Sequence, residues 1–405
     1  MVSRIILPLL ISFLLTDIYI DYAFLRECKK GLFWKRMALW LPTTGLIAYT
    51  VILSLLPDFI PENHTYVYAY FFVLGVFTAP KLVFALCSIL GKGVQKFLLK
   101  SKRNFGNYVG GLFGVCVALS YIYGVTLGFS EVRVKHVELS FSDLPPSFDG
   151  YKIVHVSDIH IGTFDGWRKQ ILLAEMDSIA KQKADLILFT GDLQNIRPQE
   201  VERLYPLLQP TMDGTIAILG NHDYAEYVKA PPAELAAQEK RLQQLIRDSL
   251  KWQLLTNENL TIYAHRNSQK ATENGVERHD VDSIIICGEE NDGEPPFPKK
   301  VDVVKTMRGV QKNAFVIMLQ HDPSAWRRNI LPQTNAQLTL SGHTHGGQMQ
   351  FFGFRPTQLK YKEDYGLYEE KGRFLYITAG LGGLMPFRLN MPNEVTVITL
   401  KHKKK

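Results

Sequence analysis

The sequence predicts an α/β domain preceded by an all-α region of four transmembrane helices. Three observations carry this. Residues 1–130 contain four apolar stretches, each close to the ~20 residues a helix needs to cross a bilayer. Beyond them, short apolar runs alternate with amphipathic helical segments, the pattern of an α/β layer structure. Groups rich in His, Asp, Asn and Gly follow the apolar runs, where loops at strand ends carry chemistry.

The four stretches run over residues 5–25, 38–56, 66–90 and 108–129. Three further stretches follow the first, and it has no clean small-residue cleavage site, so it reads as a helix and not as a signal peptide. Residues 1–130 hold 12 Lys and Arg against 5 Asp and Glu, an excess equal to the net charge of +7 of the whole chain. The remainder is therefore neutral. A basic excess confined to apolar surroundings is a membrane signature, and a neutral globular half lacks the basic track that a nucleic-acid duplex requires. Arg26, Lys29, Lys30, Lys35 and Arg36 lie between the first two stretches, and Lys92, Lys96, Lys100, Lys102 and Arg103 between the last two, which makes those loops cytoplasmic. The loop at Asp58, Pro61, Glu62 and Asn63 has no Lys or Arg, so it and everything after residue 129 are expected outside. Inside the apolar stretches, Asp17, Asp21 and Lys81 are costly unless they pair or reach an interface. Cys28, Cys87 and Cys116 lie in the membrane region and Cys287 alone lies beyond, which allows no disulfide within the globular part.

The globular domain is expected over 131–400, with 401–405 as a solvated basic tail. Val132 to Leu139 alternates as a strand until Leu144-Pro145-Pro146 breaks it. Residues 151–156 read as a buried strand, 167–181 as an amphipathic helix, and 186–189 and 216–219 as further strands. A helix spans 233–250, on its Ala, Leu, Gln and Lys content. The polar stretch 263–282 reads as a surface hairpin or insertion. Residues 284–288, 315–319, 338–340, 374–377 and 395–398 resume the strand pattern.

Five polar groups follow these strands: Asp158-x-His160, Gly191-Asp192, Gly220-Asn221-His222-Asp223, His321 and Gly342-His343-Thr344-His345. Residues two apart in extended chain point the same way, so His343 and His345 are able to face one site. Carboxylate and amide oxygens with imidazole nitrogens, and no thiolate, suit divalent ions such as Mn, Zn or Fe. One Gly-Asp or one His is ordinarily a turn; five such groups at successive strand ends point to a two-metal hydrolase. His155, His265 and His279 fit no position of this pattern and read as structural.

In this order the five groups resemble the calcineurin-like metallophosphoesterases, most closely the bacterial branch attached to or exported across membranes. The resemblance covers roughly residues 132–400 and implies a β-sandwich flanked by helices. It implies that Asp158, His160, Asp192 and His345 bind one ion, that Asp192, Asn221, His321 and His343 bind the other, and that Asp192 bridges. It further implies that Asn221 and His222 contact the phosphate, that His222 assists the leaving oxygen, and that Asp223 orients His222 through its other ring nitrogen. The segment 380–388 resembles the branch's closing loop and assigns phosphate binding to Arg388. Met391-Pro392-Asn393-Glu394 departs from the two prolines more usual there. Aromatics at 351–354 and 365–368 lie near the motif, as pocket lining or as core.

The expected protein is therefore a membrane-anchored, two-metal phosphohydrolase acting on phosphate esters or diesters. Anchoring through four helices suggests a lipid-linked substrate, because confinement in the bilayer raises its local concentration. The alternatives are a metal-binding membrane sensor or scaffold without turnover, which predicts a degraded ligand set, and a nucleotide phosphodiesterase.

Overall fold

A computed structural model of the chain describes residues 3–26, 31–55, 63–99, 103–264 and 282–403. Lys29, Lys30, Lys100 and Lys102, the loop at Asp58, Pro61 and Glu62, residues 265–281 with His265 and His279, Cys28, and the last two lysines lie outside them. The chain divides into two compact units, Met1–Leu127 and Gly128–Lys405.

The first unit contains four helices of membrane-spanning length and apolarity, α1 (Pro8–Leu25), α2 (Leu32–Leu55), α3 (Thr65–Leu98) and α4 (Phe105–Gly128). α2 starts earlier than residue 38 and α3 runs past residue 90. Phe33, Trp34 and Met37 interleave with Lys35 and Arg36, and Lys92 and Lys96 follow the apolar part of α3, so the helix outlasts the apolar stretch at each of these ends. Leucines and aromatics such as Phe13, Leu46, Leu53 and Tyr70 form the interior. α3 and α4 approach most closely where small residues meet. A side chain on Gly91 would strike the backbone of Gly106, and one on Gly110 the backbone of Phe84.

Lys81 settles between helices: its Nζ donates to both carboxylate oxygens of Asp17 at 3.0 Å, to the Leu39 carbonyl at 2.6 Å and to Thr43 Oγ1 at 3.0 Å. Asp17 is buried. Asp21 is held instead by Arg36 and Trp40, each at 2.9 Å. The cost of these charges in an apolar bundle is offset by pairing, Asp17 with Lys81 and Asp21 with Arg36.

The second unit is a two-sheet sandwich. Its elements are β1 (Val132–Phe141), β2 (Lys152–Val156), α5 (Lys169–Ala180), β3 (Leu186–Phe189), α6 (Pro198–Met212), β4 (Ile216–Ala217), α7 (Pro232–Gln244), β5 (Gln253–Leu254), β6 (Glu258–Tyr263), β7 (Ser283–Gly288), β8 (Val316–Leu319), β9 (Leu338–Ser341), β10 (Gly366–Glu370), β11 (Arg373–Ile377) and β12 (Asn393–His402). One sheet has the order β1-β12-β2-β3-β4-β5 and the other β10-β11-β9-β8-β7-β6. β2 to β5 are parallel, as are β7, β8, β9 and β11.

Side-chain alternation explains the layering. Ile153, Leu188, Ile216, Ile286, Ile317 and Leu340 point between the sheets. Val154, Phe189 and Ala217 point the other way, under Leu172 and Met176 of α5 and Leu204 and Leu208 of α6. On the far face Val316, Met318 and Ile377 pack on Trp326 and Ile330. Both faces of the inner strands are thus covered, which is why they read as continuous apolar runs.

Of the expected tail at 401–405, Lys401 and His402 belong to β12. β12 continues through His402, with Ser140 opposite Lys401 and Phe141 opposite His402. The His402 ring bonds the Leu144 carbonyl at 2.6 Å. Parallel pairing with β1 fixes this basic segment despite its charge.

Candidate metal centre

The carboxyl ends of β2, β3, β4, β8 and β9 deliver the seven candidate ligands to one place. Five of them sit at positive φ: Asp158 (53°), His160 (45°), Asp192 (61°), His343 (72°) and His345 (52°). Left-handed backbone is uncommon outside glycine and persists where its surroundings over-determine it. Here the Asp158 N–H donates to the Gly191 carbonyl at 2.8 Å and the His160 N–H to the Asp192 carbonyl at 3.0 Å. The His343 N–H donates to the Asp158 carboxylate at 3.1 Å. Gly220 lies against the Asp192 carboxylate and Gly342 against that of Asp158, so a Cβ at either position would collide with a candidate ligand.

Two clusters result, Asp158, His160 and His345, and Asp192, His321 and His343; within each, the candidate ligand atoms lie within 4.8 Å of one another. Asp192 Oδ2 stands between them, 3.5 Å from His160 Nε2 and 3.2 Å from His321 Nε2. Asn221 Oδ1 faces His321 Nε2 at 3.1 Å and His343 Nδ1 at 2.6 Å. Its amide nitrogen donates to Tyr227 Oη at 2.7 Å, which fixes the oxygen toward the imidazoles.

The donor chemistry fits divalent cations. His321 donates through Nδ1 to the Thr190 carbonyl at 2.7 Å, leaving Nε2 to face the centre. Both ring nitrogens of His160 and Nδ1 of His345 are buried without a hydrogen-bond partner. Burial pushes His160 and His345 down to about 3, which keeps both rings neutral, the form that binds metal. Burial would also push His321 down, yet Asp192 holds it up at about 10. Positive charge is therefore favoured beside Asp192.

Two expected roles are corrected. Asp223 does not touch the His222 ring. Its carboxylate accepts the backbone N–H groups of Asp192 (2.8 Å), Leu193 (2.9 Å), Gln194 (3.2 Å) and Gly220 (2.9 Å), tying two ligand loops together. The His222 ring is oriented instead by Nδ1 donating to the Asn195 carbonyl at 2.6 Å. Arg388 is fully buried and donates to the carbonyls of Ala379 (2.9 Å), Gly380 (3.1 Å), Gly382 and His345 (3.4 Å). Nη1 and Nη2 are thus engaged by backbone, while Nε is buried without a hydrogen-bond partner, so the guanidinium braces the loops beside the centre.

The structure adds residues that the motif pattern does not contain. Tyr227 stacks on His222 with ring centroids 4.4 Å apart. Tyr361 bonds His343 Nε2 at 2.9 Å, and the edge of Phe297 meets the His343 ring at 4.6 Å. These are single aromatics in loops, with no spacing signal of their own. Of the flagged aromatics, Tyr365 and Tyr368 bond Glu394 and Asp364, whereas Phe351, Phe352 and Phe354 are exposed.

Paired His-carboxylate clusters with Asp192 standing between them, at the carboxyl ends of strands in a two-sheet sandwich, are the arrangement of a dinuclear metallohydrolase. The chain belongs to the calcineurin-like metallophosphoesterases: residues 151–347 match the calcineurin-like phosphoesterase family, and residues 3–129 match the family described as the transmembrane domain of a probable calcineurin-like phosphoesterase. It is 29% identical over 319 residues to the uncharacterized metallophosphoesterase YkuE of Bacillus subtilis, covering 74% of this chain and 98% of that one. It is 26% identical over 297 residues to a transmembrane protein with metallophosphoesterase domain of Danio rerio, covering 71% of this chain and 61% of the fish protein. It is 25% identical over 317 residues to the UDP-2,3-diacylglucosamine pyrophosphatase LpxG of Chlamydia trachomatis, covering 69% and 92%. The protein is thus a membrane metallophosphoesterase, a phosphoester hydrolase of a family that uses a dinuclear metal centre.

Proposed function

We propose that the protein hydrolyses a lipid-linked phosphate ester or diester, with its catalytic unit on the extracytoplasmic side of the membrane. The observation that carries the catalytic reading is the placement of Asp192 Oδ2 between the two ligand clusters. Asp158, His160, Asp192 and His345 hold one ion and Asp192, Asn221, His321 and His343 the other, with Mn, Zn or Fe suited to this donor set. Two such ions supply an acidified water near neutral pH and a clamp on the phosphate's charge. His222 has one ring nitrogen committed to the Asn195 carbonyl, and its second serves the phosphate and the leaving oxygen. Tyr227, stacked on its face, limits the ring's tilt.

The extracytoplasmic placement is supported by the basic residues Arg26, Lys35, Arg36, Lys92, Lys96 and Arg103 at the ends that read as cytoplasmic. The lipid-linked substrate is supported by the four-helix anchor and by the relative named as a UDP-2,3-diacylglucosamine pyrophosphatase. The sensor or scaffold alternative is disfavoured because every position of the ligand set is present.

The full chain in detergent, loaded with Mn or Zn, is expected to cleave an aryl phosphodiester. His222→Ala is expected to lower kcat roughly 10²- to 10⁴-fold while metal content is unchanged. Bound metal without turnover under any divalent ion would refute the enzyme reading.

A further inference from the structure

The catalytic unit carries an exposed apolar hairpin tip whose base is hydrogen-bonded to the metal-ligand loop. Phe351 and Phe354 exchange both backbone hydrogen bonds at 2.9 Å, and Phe352 and Gly353 between them have φ of 48° and 86°. This is a two-residue hairpin turn with both central residues left-handed. Phe352 at the tip is fully exposed, Phe351 and Phe354 are about half exposed, and Leu359 nearby is 83% exposed. A left-handed phenylalanine with no packing partner is costly twice over, in backbone strain and in apolar surface facing water.

The base of the tip is hydrogen-bonded to the loop that carries His343 and His345. Arg355, the residue after Phe354, grips Asp364 with two bonds of 2.7 and 2.8 Å. The Asp364 carbonyl accepts the hydroxyl of Thr344, which lies between His343 and His345. On the other side of the loop Lys360 Nζ donates to Tyr361 Oη at 3.1 Å, and Tyr361 bonds His343. Lys362 adds an exposed cation a few residues on from the apolar tip, and Lys360, also exposed, has its ammonium over the Phe297 and Tyr361 rings at 4.8 Å.

We propose that this hairpin inserts into the interfacial layer of the bilayer, with Phe352 and Leu359 among the acyl chains and Lys360 and Lys362 against lipid phosphates. Three observations select a lipid surface over a protein groove. The chain is tethered to a membrane by four helices. Aromatic and aliphatic residues flanked by lysines are the composition of interfacial anchors. The cations complement the anionic groups that a lipid surface presents. The inference deepens and rests on the lipid-linked reading above; its test does not require turnover.

The test places p-benzoylphenylalanine at Phe352 of the full chain in nanodiscs containing phosphatidylglycerol, with the same photoprobe at Val304, an exposed apolar position of the catalytic unit, as control. Irradiation followed by mass spectrometry is expected to give severalfold more lipid adduct at 352 than at 304. Equal lipid adduct at the two positions, or adducts at 352 to a second copy of the chain in place of lipid, would overturn the proposal. Inactivity toward phosphodiesters alongside strong lipid adducts would count against the substrate reading alone.

Discussion

His155 on β2 belongs to neither ligand cluster and reports on the fold instead. It is fully buried, Nε2 lies 2.9 Å from Thr190 Oγ1, and Nδ1 has no hydrogen-bond partner. Burial pushes its pKa down to about 3, from the 6.5 of an ordinary imidazole in water. The unfolded chain therefore binds more protons than the folded one between those values. The stability that neutral His155 contributes is complete above pH 6.5 and is lost as pH falls toward 3. At pH 4.5 the difference amounts to about 2 to 3 kcal/mol, at 1.36 kcal/mol per unit. His155→Gln cannot titrate, so in the presence of a chelator its unfolding transition is expected to fall less than the wild type's between pH 7 and pH 4.5. Parallel curves would mean that the imidazole is not held neutral. The sequence identified His155 as structural simply because it fits no motif position. It could not show that Asp223 and Arg388 turn inward to backbone, because both sit where the motif expects chemistry and their partners are loop atoms scattered along the chain.

The elements that sequence periodicity located are those whose environment is uniform along their length. Inner strands such as β3 and β8 are covered on both faces and appear as apolar runs. α6 was not predicted, because Pro206 and Pro210 interrupt its helical pattern; both lie on its exposed side, where water can satisfy the carbonyls their missing N–H groups leave free. β6 and β10, each at a sheet edge, lack the two-sided burial that marks the inner strands. In the membrane unit, Lys81 and Asp17 were recognisable as costly, but choosing Asp17 over Asp21 as the partner required the helices' placement. Breaking one partner of a buried pair strands the other charge and costs roughly 3 to 5 kcal/mol, whereas removing both costs less. Lys81→Ala is accordingly expected to reduce membrane accumulation and thermal stability, and Asp17→Asn in the same chain to restore much of both. If the double variant is as impaired as the single one, the Lys81 bonds to Leu39 and Thr43, and not the ion pair, carry the helix packing.

At the scale of the catalytic unit, each candidate cluster draws ligands from both sheets. Asp158 and His160 follow β2 and His345 follows β9; Asp192 follows β3, while His321 and His343 follow β8 and β9. An ion in either cluster would thus fasten one sheet to the other at their loop ends, in addition to serving chemistry. The apolar layer between the sheets holds them together elsewhere, and at this end the facing groups are carboxylates and imidazoles, which an ion would join by direct ligand bonds. Metal binding should then appear as folding free energy, roughly 3 to 4 kcal/mol when free metal is 100 to 1,000 times its Kd. Chelation is expected to lower the unfolding temperature of the catalytic unit and to increase hydrogen exchange in the loops after β2, β3, β8 and β9 together. Asp192→Asn, which removes the shared carboxylate charge, should resemble the chelated protein and respond little to chelator. If metal analysis shows that chelation has removed the ions while the unfolding temperature stays the same, the sheets are held by packing alone and the ions contribute only to catalysis.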